Sequence, residues 1–272
     1  MSIRFAFLGC TSFSRSILEF LMENGFYPVS IFYIPKIYNI KIGNNYLIRE
    51  NHNYADLKEL ALKVNVPCFE VNSIEGKKLR DYKEIIKELK LDLMLAIGWY
   101  YLVPKSIIQL NRYGVWGIHA SLLPKYAGHS PLVWAIINGE KETGVTLFRF
   151  SEKIDQGDII LQKSFPIYFE DTIKEVYERA TLVSKEILLE ALFNIDRVTY
   201  IKQDLSRLEY YPPRFPEDGK IEWNSDVERI YNFIRAQTLP YPCAFSFLDG
   251  KKIKIISAKV TNLDCSSCNP GE

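Results

Sequence analysis

Residues 91–98 read LDLMLAIG and residues 113–119 read YGVWGIH. The first stretch is a near-continuous apolar run, which is typical of a strand buried on both faces of a parallel sheet. Another short apolar run, IRFAFL at 3–8, stops at Gly9 and is followed by a helical pattern. Strands that alternate with helices indicate right-handed βαβ units. We therefore predict an α/β fold with a Rossmann-like, mostly parallel sheet.

The rest of the chain continues this alternation and then changes character. Further strands are predicted at 27–34, 66–71, 144–150 and 158–167, and helices at 54–64, 77–90, 130–138, 171–195 and 225–237. Residues 37–53 show no clean period and are predicted to form a surface loop. Residues 209–223 carry three prolines and predict a linker, and a β-hairpin turning at Asp249-Gly250 follows. We predict a catalytic domain at 1–205 and a smaller β-rich C-terminal domain at 206–272.

Composition limits the classes of function. Among 272 residues, 34 Lys and Arg face 33 Asp and Glu, and a net charge of +1 argues against a globally basic nucleic-acid binder. Two of the five cysteines, Cys265 and Cys268, form a CxxC, and the sequence has no second pair of ligands for a metal. We therefore predict neither a metal site nor a disulfide scaffold. The apolar runs are too short for a signal peptide or a membrane span, and we expect a cytoplasmic protein without a membrane partner.

The turn after the first strand, FLGCTSF, has only Gly9 of a GxGxxG fingerprint, which argues against NAD. It allows either an anion site at the helix N-terminus or a plain βα turn.

Two other positions stand at predicted strand ends or turns. His119 ends a predicted interior strand, where α/β proteins place ligands, and could act as an acid or base or simply be a hydrogen-bonded strand-end residue. Asp155, in IDQGDII, could belong to a site or to an Asx turn.

Three stretches considered together change this balance: GIHASLLPKYAGHSP at 117–131, WAIINGEKETGVTLFRF at 134–150 and IDQGDII at 154–160. They resemble the folate-dependent formyltransferase family, in which a histidine within an N-x-H-x-S-L-L-P segment precedes a D-x-G loop. His119 and Asp155, 155 − 119 = 36 residues apart, match these positions. The resemblance covers nearly the whole chain and implies the formyltransferase fold.

The resemblance also implies an activity, the transfer of a formyl group from N10-formyltetrahydrofolate to an amine. His119 would move the proton and Asp155 would orient the imidazole and balance its charge. The folate would lie against the 96–102 segment and the 151–157 loop. The folate-binding residues implied in this way are Ala96, Ile97, Gly98, Trp99, Tyr100, Tyr101, Leu102 and Asp155.

One position departs from the family pattern. The family has an asparagine two residues before the histidine, where it helps to hold the developing oxyanion, and this chain has Gly117. We take the 117 position and His129 as candidates for the oxyanion site. The alternative is a non-catalytic member that binds folate or a nucleotide sugar.

The acceptor is the remaining question. A tRNA acceptor requires an extended basic face, which the balanced charge does not favour, although a methionyl-tRNA formyltransferase stays an alternative. Glycinamide ribonucleotide enzymes lack a region like YPPRFPEDGKIEW, 211–223, which resembles the linker of tRNA and sugar members. We therefore expect a nucleotide-linked amino sugar, dTDP- or UDP-4-amino-4,6-dideoxy hexose, of the kind used in surface-glycan synthesis. The residues implied to bind the acceptor are Gly9, Thr11, Phe13, Ser121, Lys125, Arg214 and Phe215.

Two further expectations concern assembly and the C-terminus. The sequence carries no visible signal for the oligomeric state, and a homodimer is the working expectation. The chain stops at NPGE, 269–272, where the family continues into further strands, so we expect an abbreviated C-terminal domain.

Overall fold

The computed structural model describes residues 3–42 and 45–261. The helices are α1 (Ser12–Glu23), α2 (Lys58–Lys63), α3 (Lys83–Glu88), α4 (Lys105–Ile108), α5 (Pro131–Ile137), α6 (Ile173–Phe193) and α7 (Val227–Arg235). The strands are β1 (Phe5–Gly9), β2 (Ser30–Tyr33), β3 (Ile37–Ile42), β4 (Asn45–Glu50), β5 (Cys68–Glu70), β6 (Leu93–Ala96), β7 (Val115–His119), β8 (Ala127–Gly128), β9 (Glu142–Arg149), β10 (Ile159–Pro166), β11 (Tyr210–Tyr211), β12 (Ala244–Leu248) and β13 (Lys251–Ile255).

The main sheet confirms the predicted fold class. Within the described residues it has seven strands in the order β10-β9-β7-β6-β1-β2-β5. Strand β1 pairs in parallel with β2 and β6, β2 with β5, and β6 with β7, whereas β7 and β9 are antiparallel. Leu8 lies opposite Ala96, and Ala96 opposite Gly117. The carboxyl ends of β1, β6 and β7 therefore meet at one edge of the sheet, which is the edge that carries ligands in folds of this class.

The apolar runs that predicted these strands form the core. All of β6 is buried, and so is every residue of β1. Helix α1 turns Ile17, Leu18 and Leu21 inward with no exposed area. The spacing of these residues follows the helical period, which explains why the sequence pattern identified this helix.

The structure corrects the interpretation of residues 37–53 as a surface loop. Strands β3 and β4 form an antiparallel hairpin there, with Ile37 opposite Glu50. The hairpin carries large exposed apolar side chains, including Ile37 and Ile48. Apolar side chains that are exposed in this way do not follow the alternation expected of a half-buried strand, and this is why the strand pattern was missed.

The predicted linker is also more ordered than its prolines suggest. Its Tyr210 and Tyr211 form β11, which pairs in parallel with Ala127 and Gly128 of β8. The ring of Tyr211 stacks on Tyr126, with centroids 4.6 Å apart. The beginning of the 209–223 segment is therefore fixed to the loop that follows β7. Further along, β12 and β13 form the predicted hairpin around Asp249-Gly250.

Two arginines hold the turn between β10 and α6. Arg179 of α6 donates to both carboxylate oxygens of Asp171, at 2.8 and 2.9 Å. Arg235 of α7, which is 5% exposed, donates to the carbonyl oxygens of Tyr168, at 3.1 Å, and Asp171, at 2.6 Å. Burial opposes the charged form of Asp171, but the bonds from Arg179 and the Tyr168 amide outweigh it and lower the pKa of this carboxyl.

The chain divides into two compact units, each built from separate segments. Among the described residues, the first unit comprises 3–42, 45–119, 146–162 and 184–203, and the second comprises 120–145, 163–183 and 204–261. The division into domains at 205/206 remains a prediction. Within the residues that the structure describes, none of the helices has the length and apolar character needed to cross a membrane.

Candidate functional site

The turn between β1 and α1 uses its own backbone amides. The hydroxyl of Ser14 accepts from the amides of Cys10, at 3.2 Å, and Thr11, at 3.1 Å, and donates to the carbonyl of Ile97 at 2.6 Å. Thr11 caps the helix by accepting from the Ser14 amide at 3.1 Å. Because these amides have partners within the protein, the structure favours the plain βα turn over an anion site at Cys10 and Thr11. An acceptor-binding role for Gly9, Thr11 and Phe13 stays a prediction.

The segment after β6 bends sharply against this turn. Gly98 has a φ of +60°, and a Cβ there would lie 2.3 Å from the Thr11 hydroxyl oxygen, so only glycine fits. Ala96 and Ile97 are buried. The Cys10 thiol donates to the Gly98 carbonyl at 3.2 Å, and burial raises the pKa of this thiol to about 12.

The aromatic residues predicted to bind folate divide into two groups. Trp99 and Tyr101 pack against the core of the first unit, with ring centroids 6.1 Å apart, and Tyr101 accepts from the Ser73 hydroxyl at 2.7 Å. Tyr100 and Leu102 are exposed. The indole nitrogen of Trp99 is buried and has no hydrogen-bond partner among the described residues. A buried donor of this kind is suited to an acceptor atom of a ligand.

His119 and Asp155 come together as predicted. The Nδ1 atom of His119 lies 3.7 Å from an Oδ of Asp155, and the two side chains are only 10% and 15% exposed. His119 is the last residue of β7, at the carboxyl edge of the sheet. A carboxylate that faces one imidazole nitrogen sets the orientation of the ring.

The loop that carries Asp155 is tightly held. Asp155 has a φ of +53°, in the left-handed region. A Cβ at Gly157 would lie 1.6 Å from the Arg149 carbonyl oxygen, so this position also requires glycine. On the other side of the loop, the Gln203 amide nitrogen donates to the carbonyls of Asp155, at 2.8 Å, and Gly157, at 2.7 Å. The sequence interpretation missed Gln203, which lies 203 − 155 = 48 residues after Asp155 and in no recognised motif.

Phe150 occupies the space beside Gly117. A Cβ at position 117 would lie 2.1 Å from Cε1 of the Phe150 ring and 2.9 Å from Cζ. The Phe150 ring stacks on Phe148, with centroids 5.2 Å apart, and its amide donates to the Val115 carbonyl at 2.7 Å. The ring of Phe150 thus fills the space that a side chain at position 117 would need. The sequence interpretation identified Gly117 and missed Phe150.

Phe150 also faces a cavity of about 290 Å³ in the first unit. The cavity lies between α4 and the loop after β9. Its lining residues are Lys105, Ile108, Gln109, Arg149, Phe150, Ser151, Glu152, Gln156, Gly157 and Asp158. Lys105 and Glu152 form an ion pair of 2.5 Å at this place. The 151–157 loop, predicted to contact folate, therefore borders a cavity, whereas none of the 96–102 residues lines it.

Several predicted residues lie in the second unit. Ser121 is buried and its hydroxyl donates to the Lys125 carbonyl at 2.7 Å, which makes a structural contribution to this loop. Lys125 and His129 are exposed, and the His129 amide donates to the Tyr211 carbonyl at 3.0 Å. The oxyanion role of His129 and the acceptor role of Ser121 and Lys125 stay predictions.

Arg214 has a structural environment that the sequence did not reveal. Its guanidinium group lies over the rings of Trp134, at 4.8 Å, and Phe233, at 5.3 Å. It donates to the Asp218 carbonyl at 2.8 Å and to Gln237 at 3.1 Å. Burial lowers the pKa of this guanidinium from its ordinary value. The neighbouring Phe215 amide donates to the Asp218 carboxylate at 2.7 Å. Acceptor binding by Arg214 and Phe215 remains a prediction.

In residues 3–42 and 45–261, no three His, Cys, Asp or Glu side chains are grouped so that they could hold a metal ion. Cys265, Cys268 and the NPGE end lie outside the described residues.

Comparison with known proteins identifies the family. The sequence profile described as formyl transferase matches residues 45–192, and that of the formyl transferase C-terminal domain matches residues 215–272. The bifunctional polymyxin resistance protein ArnA of Wigglesworthia glossinidia brevipalpis is 39% identical over 210 residues, which are 76% of this chain and 32% of ArnA. The chain thus spans about a third of that relative's length.

Other similar proteins match over more of their length. Methionyl-tRNA formyltransferase of Alkaliphilus oremlandii (strain OhILAs) is 32% identical over 260 residues, which are 95% of this chain and 80% of that protein. The N-formyltransferase of Helicobacter canadensis, solved with folinic acid and dTDP-3-aminofucose, superposes with a TM-score of 0.63 at 22% identity. The superposition covers 86% of this chain and 80% of that structure.

These matches confirm the predicted fold class, the resemblance and the enzyme class. The motifs that first suggested the family, around His119 and Asp155, lie inside the matched region 45–192. The chain belongs to the formyl transferase family.

Proposed function

We propose that the protein transfers a formyl group from N10-formyltetrahydrofolate to the amine of a nucleotide-linked amino sugar, such as a dTDP- or UDP-4-amino-4,6-dideoxy hexose. The observation that carries the proposal is the pair formed by His119 and Asp155. The two side chains lie 3.7 Å apart and are nearly buried, at the carboxyl edge of a parallel sheet.

The pair can manage the proton that formyl transfer releases. An acceptor amine loses a proton as it becomes an amide, and the imidazole of His119 is the group placed to accept it. Asp155 faces Nδ1 of that ring. It would therefore fix the imidazole orientation and stabilise the imidazolium form, so that the other ring nitrogen faces the reacting amine.

The described residues also fit the folate donor. The donor supplies an activated formyl group when it is bound. The cavity of about 290 Å³ beside the 151–157 loop is at the lower end of ligand-pocket sizes and would take the pterin portion of the donor rather than the whole molecule. The folate complex of the Helicobacter canadensis N-formyltransferase supports the same donor.

The acceptor is the finer part of the proposal. A net charge of +1 supports a small acceptor over tRNA, because tRNA binding draws on many phosphate contacts. The Helicobacter canadensis structure holds a dTDP-linked amino sugar and supports this acceptor class for a similar fold. Methionyl-tRNA is the second candidate, because the relative from Alkaliphilus oremlandii that matches 95% of this chain is a methionyl-tRNA formyltransferase.

A competition between acceptors tests the proposal. The protein is incubated with N10-formyltetrahydrofolate and, separately, with dTDP- and UDP-4-amino-4,6-dideoxy hexoses and with Met-charged initiator tRNA. We expect the sugar nucleotide to gain the mass of one formyl group and the tRNA to remain unformylated. Formylation of the tRNA alone would replace the sugar proposal with the second candidate.

A control separates catalysis from binding. The His119→Asn variant keeps a similar side-chain size but lacks the group that accepts the proton, so it provides the reference for binding without formyl transfer. If the unsubstituted protein binds 5-formyltetrahydrofolate and a sugar nucleotide but formylates neither acceptor class, it is the non-catalytic binder that the glycine at 117 suggested.

A further inference from the structure

The side chain of Gln203 holds the loop that presents Asp155. Its amide nitrogen donates to the carbonyl oxygens of Asp155, at 2.8 Å, and Gly157, at 2.7 Å. A side-chain amide has two N–H donors, so one group closes both sides of the turn around Gln156. The oxygen of the Gln203 amide is buried and has no partner among the described residues, which leaves the two N–H bonds to fix this side chain.

The Asp155 backbone requires such support. A φ of +53° places this L-residue in the left-handed region, which is sterically disfavoured for residues with a side chain. On one side the loop is limited by β9, because the Arg149 amide donates to the Asp158 carbonyl at 2.8 Å. On the other side, residue 201 forms a two-bond bridge with Ile159, at 2.7 and 2.8 Å, and this bridge fixes the backbone from which Gln203 extends.

We infer that Gln203 is a positioning residue for the proposed reaction, because it holds Asp155 at the distance from which its carboxylate orients His119. The inference rests on the proposed function. Gln203 acts through Asp155, and a shift of about 1 Å in a positioned group can cost on the order of 100-fold in rate.

The test exchanges the amide donor for an acceptor of the same shape. In Gln203→Glu a carboxylate oxygen faces the two carbonyl oxygens, and both bonds are lost. We expect kcat at pH 8 to fall by about 10- to 100-fold, while the KM values for donor and acceptor stay within about 2-fold. As the pH falls, the new carboxyl becomes protonated and regains one donor, so part of the lost kcat returns relative to the unsubstituted protein.

Two further variants make the result specific. Gln203→Met has a similar length and no donor, and we expect the same loss of kcat without recovery at low pH. Asn194→Asp is the matched control, because the Asn194 amide donates to the Glu190 carbonyl, at 2.9 Å, at the end of α6 in the same unit. This control should keep the kcat of the unsubstituted protein.

A measurement without turnover keeps the inference separate from the proposed function. The chain has three histidines, so their imidazole ¹⁵N resonances overlap little. The resonances of His119 are assigned by comparison with the His119→Asn variant. We expect Gln203→Glu and Asp155→Asn to move the His119 resonances, and Asn194→Asp to leave them in place. A protein that formylates no acceptor refutes the proposed function, and the resonances still decide the role of Gln203. Unchanged His119 resonances in a folded Gln203→Glu variant, or a kcat within about 2-fold of the unsubstituted protein, would overturn the inference.

Discussion

The Gly117→Asn variant introduces the asparagine of the family pattern and tests whether the ring of Phe150 occupies the space that this side chain needs. A Cβ at 117 would lie 2.1 Å from Cε1 of Phe150, whereas carbon atoms pack at about 3.5–4.0 Å. The ring would therefore have to move by about 1.5 Å. The ring stacks on Phe148, with centroids 5.2 Å apart, so a movement of this size breaks the stack even where the ring turns toward the cavity that it faces.

Overpacking of this kind costs about 1–3 kcal/mol. We expect Gly117→Asn to lower the free energy of unfolding by that amount, or the Tm by about 3–10 °C, and to give no gain in formyl transfer. Gly117→Ala is the matched control. It adds the same Cβ without an amide, so it should lose similar stability.

A more adaptable side chain at position 150 should rescue the Gly117→Asn variant. Methionine is unbranched and adapts to irregular space, so Phe150→Met should let the asparagine fit. We expect Gly117→Asn with Phe150→Met to recover at least half of the lost stability and to raise kcat above that of either single variant. One added oxyanion donor is worth up to about 100- to 1000-fold.

Chemical denaturation and steady-state kinetics provide both readouts. If the free energies of unfolding of Gly117→Asn and Gly117→Ala both lie within about 0.5 kcal/mol of that of the unsubstituted protein, the Phe150 ring moves without cost and the packing argument fails. A rise in kcat for Gly117→Asn alone would equally show that Phe150 is no obstacle.

Three further outcomes are expected. His119→Asn should lose formyl transfer by at least about 100-fold while calorimetry still detects binding of 5-formyltetrahydrofolate, and retention of a tenth of the activity would contradict the proton role. Asp171→Asn should lower the free energy of unfolding in urea by about 1.5–3 kcal/mol at pH 7. Because the pKa of Asp171 is lowered in the folded state, its contribution to stability is present above the ordinary carboxyl pKa and is lost as the pH falls through the folded-state pKa. The free energies of unfolding of the two proteins should therefore converge in acid, and a difference that stays constant with pH would argue against the ion pair. With the pKa of its buried thiol raised to about 12, Cys10 should resist iodoacetamide at pH 8 in the native protein and react in urea, as followed by mass spectrometry of its peptide.

The parallel strands could be predicted because they are buried on both faces. The runs at 3–8 and 91–98 contain hardly any polar side chain, and the structure buries all of β1 and β6. The hairpin of β3 and β4 could not be found in this way. Its exposed Ile37 and Ile48 place apolar residues on surfaces where alternation predicts polar ones.

The approach of His119 and Asp155 followed from the family motifs. His119 ends β7 at the carboxyl edge, and the spacing of 155 − 119 = 36 residues between His119 and Asp155 matches the motifs. Phe150 and Gln203 were missed for a different reason. Each acts through a contact that depends on antiparallel pairing, between β7 and β9 for Phe150 and between residues 159 and 201 for Gln203. Such register is set by the folded sheet, and a linear pattern does not encode it.

Arg235 limits how freely the two matched family regions of this chain can be exchanged between relatives. The donor to the carbonyls of Tyr168 and Asp171 is Arg235, which is separated from Asp171 by 64 positions in sequence. The matched family regions 45–192 and 215–272 are therefore not independent modules here, because a side chain of one completes the backbone bonding of the other. In a chimera, a foreign C-terminal half without an arginine at this place would leave two acceptors unsatisfied, at about 1–3 kcal/mol each if they stay buried. Recombination between relatives should succeed where this arginine is inherited together with the turn that it bonds.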